Sequence, residues 1–157
     1  MSRISYIEDF SAWEKEFSFY VPISVRFSET DMYGHVNNVS PFIYFEEARI
    51  AYLNSLGVIS KDMRQTEGVI VSDLQCNYLK EIYFGDDIRV YVKTASVGTT
   101  SFDIHYKVVR EEEVVLTARG RLVYIDTEKK VPRKLSDEMK QKLLSDILHF
   151  DNVAANL

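Results

Sequence analysis

At 157 residues and 18.2 kDa, the chain has the length of one domain, since compact domains run to roughly 100–200 residues, and a single unit over 1–157 is expected. Its 46% hydrophobic and 27% charged residues exclude a disordered or fibrous chain. A net charge of −5 and a pI near 5.2 leave no global positive field to recruit nucleic acid or an anionic membrane. One cysteine, Cys76, excludes an internal disulfide and a cysteine zinc cluster and fits a reducing, cytoplasmic setting. Residues 1–8 lack the apolar run of a signal peptide, and no uncharged stretch reaches the roughly 18 residues of a membrane span. The unusual number is aromatic content, 13%, with 10 Tyr and 9 Phe.

In chain order, Ser11 and Glu14 have capping-box spacing for one short helical turn. Val21, Ile23, Val25 and Phe27 then alternate with Pro22, Ser24 and Arg26, a strand whose proline marks an edge or a strand start. The period is lost over 28–38. Ser40 as N-cap, Pro41 at N1 and Gly57 as C′ residue bound a helix ending at Leu56. Ten of its residues are apolar or aromatic, so it should be buried on most sides. Strand signals follow at 69–79, 88–93, 102–109 and 114–125, separated by turns at 85–87, 98–100 and 111–113, and predict an antiparallel meander. A polar loop, 127–134, leads to an amphipathic helix over about 136–150, with Leu143, Leu144, Ile147 and Leu148 on one face. The layout is α+β: a five-stranded antiparallel sheet, core about 21–132, curled around a long apolar helix. Its free edge strands invite a second copy.

Polar chemistry concentrates in Thr30, Asp31, Met32, Tyr33, Gly34, His35, Val36, Asn37 and Asn38, just before the N-terminus of the buried helix. Free N–H groups and the positive dipole end there can polarise a carbonyl, and a carboxylate a few residues upstream can serve as nucleophile or general base. Gly34 permits a tight loop. The plainer reading is a loop in which Asp31, Asn37 and Asn38 cap turns. Cys76 reads as a small buried hydrophobe, Glu46 and Arg49 as an internal i,i+3 pair, and His105 and His149 as surface residues. The three histidines have no metal-ligand spacing. Lys80, Arg89, Lys93 and Arg119 are isolated cations on an acidic chain.

The run from Arg26 to Asn38, followed by Tyr44, Phe45, Glu46, Glu47, Ala48 and Arg49, resembles the signature of hotdog-fold acyl-CoA thioesterases of the 4-hydroxybenzoyl-CoA thioesterase type. The likeness extends to Cys76, Asn77 and Tyr78, to Gly85 and Asp86, to Ser101 and Phe102, and to Val123. It implies a cofactor-independent hydrolase of acyl-CoA or acyl-ACP thioesters. Asp31 would be the catalytic carboxylate, the Asn38 N–H the oxyanion donor, and Gly34 the loop glycine. His35 matches a catalytic histidine of plastid-type acyl-ACP thioesterases, but Tyr33 replaces the asparagine of their network, leaving direct catalysis, loop hydrogen bonding or substrate positioning open. Pro41 departs from a tyrosine common in relatives. Tyr33, Val36, Asn37, Phe42, Phe45 and Glu46 are the expected substrate contacts, and the resemblance implies a homodimer or homotetramer with the site closed by a second subunit. A non-catalytic acyl-thioester-binding hotdog module is the alternative, and loss of the carboxylate would mark it. Tyr78, Tyr83 and Phe84 join the helix aromatics as expected walls of a pocket for a bulky apolar acyl group.

Overall fold

The computed structural model describes residues 3–59 and 66–154, with side chains described up to residue 147. It opens with α1 (Phe10–Trp13), capped by Asp9, whose Oδ1 accepts from the Ala12 N–H at 3.1 Å. Ser11 lies inside that turn, so the expected Ser11 and Glu14 capping box is replaced by an Asx cap two residues earlier. Strand β1 (Phe19–Ser24) turns Val21 and Ile23 inward and Pro22 outward. It ends three residues before the expected Phe27, because the Arg26 N–H donates to Glu29 and folds Phe27–Glu29 into a 3₁₀ turn that leaves Phe27 74% exposed.

Helix α2 (Ser40–Ser55) closes as expected, with Gly57 at φ +68° in the C′ position. Its start differs: Ser40 is already helical, and its hydroxyl donates to the Glu29 carbonyl at 3.0 Å rather than capping the helix. Tyr44, Phe45, Ala48, Tyr52 and Leu53 are buried on one side, while Ile43 and Ile50 on the other are 55% and 47% exposed. The sheet of one chain therefore covers one flank of an apolar helix and leaves the opposite flank open, against the expectation of burial on most sides.

Strands β2 (Glu67–Tyr78), β3 (Asp87–Val97), β4 (Ser101–Arg110), β5 (Glu113–Asp126) and the two-residue β6 (Val131–Pro132) complete an antiparallel sheet with spatial order β1-β3-β4-β5-β2 and β6 on β5. Only β3, β4 and β5 form the expected meander. Strand β2 crosses to the far side of β5 and is a free edge, and β6 adds a sixth strand within the expected polar loop. The crossing from β2 to β3 carries residues 79–86 over one end of the sheet, beside the start of α2. Helix α3 (Asp137–Ala154), where Ser136 Oγ accepts from the Met139 N–H, packs the fully buried Leu143 into the core. Leu144 is 36% exposed, so the inner face is narrower than the sequence pattern. The side chains of Leu148 and His149 lie outside the described residues.

A second layer lies on the outer face of the sheet, where Ile4, Ile7, Trp13 and Phe17 cluster with Tyr91. This layer covers His105, which accepts a hydrogen bond at Nδ1 from Trp13 Nε1 at 3.0 Å and is not the surface residue expected. Burial, reinforced by Lys93, lowers its pKa to about 4. Since its ordinary value is 6.5, the unfolded chain binds the extra proton first as pH falls. The stabilisation is complete above about pH 6.5 and is lost on descent towards pH 4, by about 2 kcal/mol between pH 7 and pH 5. Chemical denaturation at the two pH values measures it, and His105→Gln should remove most of that difference; an unchanged pH difference in the variant would assign it to other groups.

Candidate active site

The site is built from Glu29 upward. Its buried carboxylate accepts the Tyr44 hydroxyl at 2.6 Å, the Arg26 N–H at 3.0 Å and Arg26 Nε at 2.8 Å. Burial alone would raise this carboxyl, but the Tyr44 and Arg26 hydrogen bonds hold it below its ordinary value. The Glu29 carbonyl accepts the Asn37 N–H at 2.8 Å and Ser40 Oγ at 3.0 Å. One residue thus joins the end of β1, both ends of the loop and the first turns of α2.

Between those ends, bridge pairing of Thr30 with Val36 closes a tight loop. The Asp31 N–H donates to the His35 carbonyl at 2.8 Å and the Gly34 N–H to the Asp31 carbonyl at 3.1 Å. Gly34 sits at φ +81°, with open space where a Cβ would go, so conformation rather than crowding selects glycine. Asp31 Oδ1 accepts from the Tyr33 N–H at 2.8 Å and the His35 N–H at 3.4 Å. The turn-capping role is therefore real, yet it uses one carboxylate oxygen and leaves Oδ2 without a hydrogen-bond partner among the described residues. The Asn38 N–H is likewise unpaired among them, and the Asn38 carbonyl accepts the Tyr78 hydroxyl.

Asp31, His35, Val36 and Asn38 line one cavity of about 580 Å³. Pro41 of α2, Tyr78, Leu79 and the crossing segment Lys80, Glu81, Ile82 and Tyr83 form its other walls, with Arg110 and Leu116 behind. The two halves are stitched together by the Val36 N–H donating to the Ile82 carbonyl at 2.7 Å and by bridge pairing of His35 with Tyr83. The fold thus brings together four of the ten residues singled out in the sequence. Gly34 shapes the loop behind them; Tyr33 stands exposed beside His35, rings 6.5 Å apart; Asn37 Oδ1 accepts the Val39 N–H. Phe42 and Phe45 pack ring to edge in the core, with Phe45 fully buried against Tyr106. Glu46 and Arg49 do pair, Oε2 to Nη2 at 3.9 Å, but Glu46 is exposed, so only the arginine end is internal, and Arg49 Nη1 also donates to the Tyr106 hydroxyl at 3.2 Å.

Tyr78 and Tyr83 line the cavity as the aromatic pattern suggested, whereas Phe84 packs edge-on to Phe27 outside it. Cys76 lies outside the cavity, and burial raises its thiol to about 11, the state of an inert core sulfur. The isolated cations all have carboxylate partners: Lys80 with Glu113, Arg89 with Glu112, Lys93 with Glu16, and Arg119 with Asp73 and Asp103. Sequence reasoning missed Glu29 and Glu81. The i,i+3 spacing of Arg26 and Glu29 could have flagged the first, but only the β2 to β3 crossing brings the second to the site.

An antiparallel sheet curled over one long helix, with a carboxylate loop at that helix's N-terminus, defines a hotdog-fold protein. The sequence model of the Thioesterase-like superfamily matches residues 25–143. The chain belongs to this superfamily and is a thioesterase. It is 43% identical over 146 residues to an uncharacterized protein, YsmA, of Bacillus subtilis, covering 92% of this chain and 98% of that one. It is 28% identical over 128 residues to a 1,4-dihydroxy-2-naphthoyl-CoA hydrolase of Nostoc punctiforme, covering 80% of this chain and 86% of that one. Among solved structures, a Thermus thermophilus thioesterase complexed with coenzyme A and Zn superposes with a TM-score of 0.72 at 29% identity, over 84% of this chain and 96% of that one.

The Glu29 junction has a measurable weight. Tyr44→Phe removes one donor from a buried carboxylate and should cost about 1–3 kcal/mol in chemical denaturation at pH 7; a variant as stable as the parent would show that the hydroxyl adds nothing to the junction.

Proposed function

We propose that the protein hydrolyses acyl-CoA thioesters in the manner of the 4-hydroxybenzoyl-CoA thioesterase type, with the chemistry at Asp31. One observation carries the reading: Asp31 and Asn38 line the same cavity at the start of α2, and Asp31 Oδ2 and the Asn38 N–H have no hydrogen-bond partner among the described residues. A thioester carbonyl placed between them would give its oxygen to Asn38 and the positive end of the helix, and its carbon to the carboxylate. Asp31 then attacks that carbon or takes the proton of an attacking water, and the products are a carboxylic acid and a thiol.

The apolar wall of Val36, Pro41, Leu79, Ile82 and Leu116 with Tyr78 and Tyr83 suits a bulky apolar acyl group. The relative named for 1,4-dihydroxy-2-naphthoyl-CoA, an aryl thioester, supports testing aromatic acyl groups first. The free β2 edge and the exposed Ile43 and Ile50 of α2 support a homodimer that extends the sheet and covers the open flank of the helix. In that assembly Tyr33 and Phe42 could join the substrate contacts from a neighbouring subunit.

A panel of aryl, branched and linear acyl-CoAs with a thiol-release readout tests the activity. Asp31→Asn should lower kcat by roughly 10³-fold or more while leaving thermal stability and sedimentation unchanged. Binding without turnover across the whole panel would support the non-catalytic module instead, and near-normal turnover in the variant would remove Asp31 from the chemistry.

A further inference from the structure

From Asn37 to Val39 every backbone polar group except the Asn38 N–H has a hydrogen-bond partner. The Asn37 N–H donates to the Glu29 carbonyl at 2.8 Å, and the Asn37 carbonyl accepts the Ser40 N–H at 3.0 Å. The Val39 N–H donates to Asn37 Oδ1 at 3.2 Å, and the Val39 carbonyl accepts the Phe42 N–H at 3.2 Å. These bonds all lie within residues 29–42, so they order the turn internally without fixing its direction relative to the opposite wall of the cavity. The remaining group, the Asn38 carbonyl, accepts the Tyr78 hydroxyl from 40 residues further along the chain. Among the described residues this is the one hydrogen bond that ties the backbone of Asn38 to the sheet.

The phenol that gives this bond is itself firmly based. Tyr78 pairs with Leu116 of β5, and just beyond it the Leu79 and Lys80 N–H groups both donate to the Val115 carbonyl at 3.0 Å, which clamps the end of β2 where the chain turns into the crossing. From there the side chain forms part of the cavity wall and reaches the loop on the other side. Its hydroxyl keeps its proton: burial first, then the neighbouring Cys76 thiol, raises it to about 12, and Cys76, raised to about 11 by burial, takes no proton from it. Tyr83, the other tyrosine of the cavity, donates instead to Glu81 Oε2 at 2.7 Å.

Resting on the thioesterase reading above, we propose that Tyr78 is a positioning residue for the oxyanion donor: its hydroxyl holds the Asn38 carbonyl and thereby aims the Asn38 N–H at the thioester oxygen. The two backbone groups belong to adjacent rigid peptide planes that meet at the Asn38 Cα, with φ and ψ of that residue as the only freedoms between them, so holding one plane restricts the other. An oxyanion donor contributes when it is fixed on the place where charge develops, and loosening it forfeits part of what its removal would. Tyr78 exchanges no proton and forms no bond in the reaction; its contribution is orientation.

Tyr78→Phe keeps the ring in the wall and removes only the hydroxyl. In the full-length protein it should lower kcat about tenfold with KM within about twofold. The ¹⁵N order parameter of Asn38 should fall from about 0.85 to below about 0.6, while Val36, held by the Ile82 carbonyl, keeps its value. Tyr124→Phe, which takes a hydroxyl from Glu67 at the other end of β2, should leave both readings at the parent's values. In an active parent, either change in Tyr78→Phe without the other overturns the proposal: a slower kcat with a rigid Asn38 makes Tyr78 a substrate contact, and a mobile Asn38 with full kcat makes the bond purely structural. Asp31→Asn inactive with Tyr78→Phe at the parent's values in both readings would overturn the positioning role and leave the thioesterase reading in place. If the parent hydrolyses no thioester, that reading falls and the order parameter alone decides whether Tyr78 holds the Asn38 N–H; equal values in parent and variant would sink the proposal.

Discussion

The hydrogen bond from the Tyr44 hydroxyl to the buried Glu29 carboxylate sets the geometry of everything at the site end of the molecule. A charge out of water must be satisfied from several directions, and here the donors come from different elements. Arg26 follows β1, and Tyr44 lies one turn into α2. The backbone of Glu29 meanwhile receives Asn37 and Ser40, so the loop between Thr30 and Asn38 begins and ends on one residue. That closure forces the chain into the Asx turn at Asp31, where glycine is required at position 34, and leaves the Asn38 N–H pointing away from any partner among the described residues. The loop is held from below, which leaves its upper atoms available for chemistry.

The aromatic content acquires a physical explanation at the same time. Most of the buried tyrosines span two layers and end on a polar atom. Tyr44 ends on Glu29, Tyr52 on Thr94 and on Asp146 of α3, Tyr106 receives Arg49, and Tyr6 meets Thr117 and Asn77 under the amino-terminal layer. Such side chains contribute large apolar area and a directed hydrogen bond from one residue, which suits a core thin enough for a single helix. Among the described residues, Tyr78 and Tyr83 are the only Phe, Tyr or Trp side chains that line the cavity. The aromatic load is thus mainly a framework and only secondarily a binding wall.

Local signals made much of this legible. Alternation located β1 to β5, and glycine at position 57 with proline at 41 bounded α2 within a residue or so, because those features depend on neighbours in sequence. The loop chemistry was readable for the same reason, since Asp31, Gly34, His35 and Asn38 act within one turn. Long-range facts were not. The sheet order depends on where β2 crosses, and the same crossing brings Glu81 to His35; neither leaves a trace in periodicity. His105 alternates outward like a solvent-facing residue, but the amino-terminal layer covers it. Arg49 and Glu46 have the spacing of a pair and form one, yet the second contact of the guanidinium, to the Tyr106 hydroxyl across the core, leaves no mark in that spacing.

The account turns on a thioester carbonyl lying between the Asp31 carboxylate and the Asn38 N–H. A crystal structure with a coenzyme A ketone analogue, in which a methylene replaces the thioester sulfur, measures that placement directly. The expected carbonyl oxygen lies about 3 Å from Asn38 N, with the carbonyl carbon facing Asp31 Oδ2. A carbonyl bound elsewhere in the cavity, with Asn38 N hydrated and Asp31 out of reach, would contradict it.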